Sequence, residues 1–65
     1  MSEQIHIEFT TENAAFDGDP SMEIARILRA MAALIANGMA EDETTLRDIN
    51  GNRVGFCRIT TKQEG

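Results

Sequence analysis

Apolar residues recur at steps of three and four from Ile24 through Ile27, Leu28, Met31 and Leu34 to Ile35, which predicts one apolar stripe along an α-helix. Its ends are also legible. Asp19 suits the capping of free backbone N–H groups, Pro20 the first helical position, and Gly38 after Asn37 a left-handed stop, so the helix is expected over about 20–37. Upstream, Gln4 to Thr10 alternates apolar and polar residues. That period predicts a strand over about 4–10 with Ile5, Ile7 and Phe9 toward a core and His6 and Glu8 away from it. The alternation stops at Thr11, and Asn13, Asp17 and Gly18 are turn formers; Phe16 is expected to fold back over the start of the helix.

Downstream, Leu46 to Ile49 and Arg53 to Thr60 read as extended runs around Asn50-Gly51-Asn52. Asn-Gly between such runs predicts a hairpin over about 46–60, because both residues tolerate the positive φ of a tight turn. Val54 and Phe56 share one side of the last run while Cys57 and Ile59 take the alternate positions, and a bulge at Gly55 would bring more of them inward. Thr61 to Gly65 reads as a frayed polar tail, and Met39 to Thr45 as a short connection whose Glu41-Asp42-Glu43 stays solvated.

Strand, helix, strand, strand in one domain, residues 1–65, implies an α+β fold: two layers, one helix packed on a three-stranded antiparallel sheet, with the third strand between the first and second. The face away from the helix is expected to carry His6, Glu8, Arg47 or Asp48, and Arg53. A chain of 65 residues buries only about 60% of its unfolded surface, so the core is thin. Alanines at 25, 30, 32, 33 and 36 either serve helix propensity or let a second backbone approach.

Composition narrows the chemistry. One cysteine excludes an internal disulfide, and Cys57 with the single His6 falls short of a structural zinc set, so no metal or cofactor is expected. No apolar run approaches a membrane span, Met1-Ser2-Glu3-Gln4 lacks the basic start of a signal peptide, and a free thiol fits a reducing compartment, so a cytoplasmic location is expected. Asp48-Ile49-Asn50-Gly51-Asn52 opens like a calcium loop, but the glycine is fourth rather than sixth and Ile59 stands where the closing glutamate belongs. Asp17 and Asp19 flank Gly18 and read as a capped loop rather than a catalytic dyad. His6 and Cys57 would make a base and nucleophile only with a third residue to orient the histidine, and the sequence offers none. An enzyme is not expected.

The net charge is −5, and its distribution is uneven: residues 1–25 carry −6 with no Lys or Arg, and the other forty carry +1. Direct nucleic-acid binding is disfavoured, and a basic protein surface is the natural partner. Carboxylates two apart on a strand sit roughly 6.6 Å apart, against about 3.4 Å between phosphates along one DNA strand. Glu8, Glu12, Asp17, Asp19 and Glu23, gathered by strand end, loop and helix start, with Glu41, Asp42 and Glu43, are therefore candidates for a polyanion-like surface. Solubilising charge is the competing account.

Three blocks, Asn13-Ala14-Ala15-Phe16-Asp17, Glu23 to Arg29, and Leu46 to Gly55, together about half the chain, resemble a group of small prophage and phage-encoded proteins. In size, charge and element order the chain is similar to an anti-CRISPR inhibitor of type I systems. The resemblance implies a non-catalytic, DNA-mimicking protein of the bacterial host cell that blocks target recognition at the large, PAM-reading subunit of a Cascade-type complex. It carries no residue-level motif, so the acidic positions rest on charge alone. A monomer is expected, with a homodimer through the alanine-rich helix face or a sheet edge as the alternative.

Overall fold

In the computed structural model, which describes residues 2–62, the alternating stretch forms β1 (Ser2–Phe9) and the periodic stretch forms α1 (Ser21–Ala36). The hairpin strands are β2 (Glu43–Arg47) and β3 (Arg53–Lys62). The sheet is antiparallel in the order β1-β3-β2, with β3 central as expected, and α1 packs on one face. The second strand begins at Glu43 and ends at Arg47, earlier than the expected 46–49, so Glu43 to Thr45 belong to the sheet rather than to a solvated connection. β3 runs through Thr61 and Lys62, which were expected in the tail; residues 63–65 lie outside the described residues.

Both helix ends follow the sequence. The Asp19 carboxylate accepts the Ser21 N–H at 2.9 Å, and Pro20, at helical φ and ψ, offers its carbonyl to the Ile24 N–H at 3.0 Å. At the other end Gly38 has φ +68°, the Met39 N–H reaches the Leu34 carbonyl at 2.9 Å, and the Gly38 N–H reaches Ile35 at 3.1 Å, which is a Schellman termination. Phe16, in a single 3-10 turn (Ala14–Phe16), is buried against α1.

The hairpin departs from the two-residue turn that Asn-Gly suggests. The Gly51 N–H donates to the Asp48 carbonyl at 3.0 Å, the Asp48 N–H donates to Asn52 at 2.9 Å, and only Gly51 takes positive φ. This is a three-residue loop, a type I turn closed by a left-handed glycine. Beyond it the register steps from Leu46↔Gly55 to Arg47↔Arg53, so Val54 is the extra residue of a bulge, one position before the glycine expected to hold it. The bulge resolves the ambiguity of β3: Val54 and Cys57 both enter the core. Gly55 has a different task. It lies opposite Phe9, and a Cβ there would overlap the Glu8 carbonyl and the Phe9 backbone.

The core is Phe16, Ile27, Met31, Leu46, Val54 and Cys57. It lies under only part of the expected stripe, because Leu28 and Ile35 are 41% and 44% exposed, and Ile5 and Ile7 of β1 are 55% and 39% exposed. Width explains this. A helix with its side chains is about 10 Å across, while three strands spaced about 4.8 Å apart need more cover than that. The Ala30 and Leu34 flank of α1 lies along Thr44 to Arg47 of β2, so the helix is set over β2 and β3 and leaves the inner face of β1 open.

Burial ranks the helix positions differently from periodicity alone. Met31→Ala is expected to cost about 2–5 kcal/mol, and Leu28→Ala about 1 kcal/mol or less. Urea unfolding midpoints at unchanged m-value check the ranking, and equal losses for the two would contradict the placement of the helix.

Candidate protein-interaction surface

The structure separates the carboxylates that charge counting groups together. Glu23 is buried at the start of α1, where its oxygens accept Arg26 Nε at 2.6 Å, Arg26 Nη2 at 3.0 Å and the Ile49 N–H at 2.7 Å. The Arg26 guanidinium, working against burial and joined by the Ile49 amide, holds this carboxyl below its ordinary range. Asp19 is occupied by the Ser21 N–H, which also lowers its pKa, and it shares a hollow with Arg26 and Arg29. Glu8 points to the outer sheet face with its carboxylate 3.5 Å from His6 Nε2, and Glu43 is 3.5 Å from Arg58 Nη2. Glu12 and Asp17 are exposed on the loop before α1, whereas Glu41 and Asp42 are exposed past its far end. Glu23 therefore belongs to the interior, and the remaining candidates occupy different sides of the domain.

Asp48 is one of the two alternatives, with Arg47, that the sequence offers for the open sheet face. It is instead buried, with Oδ1 accepting the Asn50 and Asn52 N–H groups, both at 2.9 Å, and Oδ2 accepting Asn13 Nδ2 at 3.1 Å and Asn52 Nδ2 at 3.3 Å. Burial pushes its pKa up, but these four hydrogen bonds prevail and the net direction is down. Both oxygens are thus committed to N–H donors. The site binds its own loop, and through Asn13 it also ties down the segment before α1.

The His6 and Cys57 pairing fails on geometry. β1 and β3 are neighbours, but His6 lies opposite Arg58 and Cys57 opposite Ile7, so the imidazole and the thiol project from opposite faces of the sheet. Cys57 is fully buried, and His6 stacks 5.7 Å from Phe56, over which Arg58 also lies at 4.9 Å. Among the described residues, no three His, Cys, Asp or Glu side chains come together as a metal ion requires, and no helix is long and apolar enough to cross a membrane.

What the fold does assemble is an open apolar trough. Ile5 and Ile7 share the inner face with their β3 partners Ile59 and Cys57, and Ile35, seven residues from Leu28 on the same flank of α1, meets Ile59 across an open hollow of about 340 Å³. Glu3, Glu41 and Asp42 line that hollow beside Gly38 and Ala40. The trough thus has isoleucines at 5, 7, 35 and 59 and three carboxylates at the end next to the helix C-terminus, where the backbone dipole is also negative. Contiguous exposed apolar surface of this kind marks interaction sites. The chain matches no family model, no curated protein and no solved structure.

Of the expected acidic residues only Glu41 and Asp42 border the trough; Glu3, Ile5, Ile7, Leu28 and Ile35 were not among the candidates. A signal for them was available, since nine apolar positions in one helix stripe and one strand exceed what a single helix–sheet seam of this width encloses.

The buried carboxyls make an acid-stability prediction. Glu23 and Asp48 have folded pKa values below their unfolded ones, so their contribution is complete only above pH about 5, clear of the unfolded values, and is lost as pH falls through the folded values. Urea midpoints are expected to fall as pH drops below about 5. Asp48→Asn should be less stable at neutral pH and show a shallower acid decline; an unchanged acid decline in this variant would exclude Asp48 as a titrating contributor.

Proposed function

We propose that this protein is a non-catalytic inhibitor that works by docking, its trough and carboxylate-lined end seating on a partner protein that offers apolar side chains beside basic ones. The observation that carries the reading is the inner face of β1, left without a roof and bordered by Glu3, Glu41 and Asp42. An exposed apolar strip supplies area, and fixed like charges at its end supply steering and orientation. The basic DNA-binding surface of a Cas effector, the partner class implied by the resemblance, has the required chemistry. The carboxylates that act are then those at the C-terminal end of α1, because Glu23 is consumed by Arg26 and Ile49, Asp19 by Ser21, and Glu8 lies on the outer face beside His6.

Binding to a purified type I effector, followed by biolayer interferometry at low and high salt, tests this. The combined variant Glu3→Gln, Glu41→Gln, Asp42→Asn is expected to slow association by roughly tenfold or more. Ile5→Lys should weaken binding at any salt concentration, while Glu12→Gln with Asp17→Asn should leave it unchanged. Salt-insensitive binding, or full binding by the first variant, would overturn the reading.

A further inference from the structure

The open side of β1 carries more than apolar side chains. Antiparallel residues direct N–H and C=O to the same side, alternating along the strand. The Ile59 N–H donates to Asp42 at 2.8 Å, so Ile59 faces the β2 side, and Arg58 and Thr60 face β1; the Thr10 N–H to Val54 carbonyl bond of 3.1 Å keeps the same phase. Gln4, His6 and Glu8 therefore spend their backbone groups on β3. Glu3, Ile5, Ile7 and Phe9 turn theirs outward, along an edge with no proline, glycine or bulge over eight residues. The other edge, β2, is only five residues long and its pairing is interrupted at the Val54 bulge of β3, and short, irregular edges are how edges are normally blunted.

We infer that the occupant of this edge is a second copy of the chain, paired antiparallel about a two-fold axis at Ile7. Charge and apolar matching select that register. With Ile7 opposite Ile7 of the second copy, Ile5 meets Phe9 on the inner face, and His6 meets Glu8 twice on the outer face. The His6–Glu8 pairs are ion pairs when the imidazole is protonated and hydrogen bonds when it is neutral. Moving the axis to His6 sets imidazole against imidazole and Glu3 against Phe9, and moving it to Glu8 sets two glutamates against each other. Only the Ile7 register is complementary on both faces. It produces a six-stranded sheet in which the four isoleucines at positions 5 and 7 of both copies adjoin across the two-fold axis. This inference rests on the β1 edge and not on the carboxylates proposed to meet a partner protein.

Sedimentation equilibrium on the full chain across micromolar to millimolar concentration reads the mass, and circular dichroism confirms folding of each variant. The wild type is expected to be dimeric and Ile7→Lys monomeric with an unchanged spectrum. His6→Glu and Glu8→Lys, both at exposed positions, should each dimerise several-fold more weakly. Their equimolar mixture should recover wild-type affinity as a heterodimer, because the new glutamate faces the new lysine. A wild-type monomer throughout the range overturns the inference, as does an Ile7→Lys dimer or a mixture no tighter than its components. The Glu3, Glu41, Asp42 variant is expected to dimerise normally even if it fails to bind an effector, which separates the two readings.

Discussion

One helix cannot roof three strands, and this mismatch of widths governs most of what the domain does with its apolar residues. An α-helix about 10 Å wide spans two strands at about 4.8 Å spacing. The chain must then choose which strand to leave out. The choice is made by the connections: the hairpin keeps β2 beside β3, and the helix is fastened to the hairpin, not to β1. The unroofed strand is therefore β1, and its isoleucines, which alternate as in any half-buried strand, face solvent on the side that periodicity marks as core.

The fastening is electrostatic and local. Glu23 links the first turn of α1 to the loop through the Ile49 N–H, Arg26 adds a bond to the Arg47 carbonyl at 3.1 Å, and Asp48 organises the loop while holding Asn13. Two carboxylates are thus enclosed near each other, which is tolerable because each is saturated with donors and one has a guanidinium against it. With six buried apolar residues in the core among the described residues, such a junction adds fixed points between helix and hairpin that a larger domain obtains from packing. It also means that acidity in a sequence of this kind is not a measure of acidic surface.

Element types, helix caps and the central place of β3 could be read directly from the chain, because each rests on local signals: 3.6- and 2-residue periods, Asp19 and Gly38 at the helix ends, and a hairpin that places its second strand beside its first. The failures share a different origin. Asn50-Gly51 signals a turn but not its length, and the three-residue loop emerges only because Asp48 can satisfy two loop amides at once. The start of β2 at Glu43 was hidden by three consecutive acids, whose repulsion is relieved when Glu43 turns toward Arg58 on β3. Glu23 and Glu12 are equivalent to any count of charge; what separates them is the proximity of Arg26 and Ile49, and the latter lies 26 residues away along the chain.

The trough and the strand edge are adjacent features of one omission, and their arrangement constrains how they combine. In the paired form the axis passes through Ile7, while Glu3 lies four residues farther along β1, about 13 Å at 3.3 Å per residue. The two carboxylate-lined hollows would then stand roughly 26 Å apart along the strand direction, each toward its own end of the joined sheet. Two like sites on one rigid support engage a partner with repeated basic subsites at an effective concentration set by that spacing, not by diffusion. The proposed self-association and docking would share the inner-face isoleucines of β1 and otherwise draw on different groups: the outward backbone and the outer-face His6 and Glu8 for the first, the flanking carboxylates and the Ile35 side of the helix for the second.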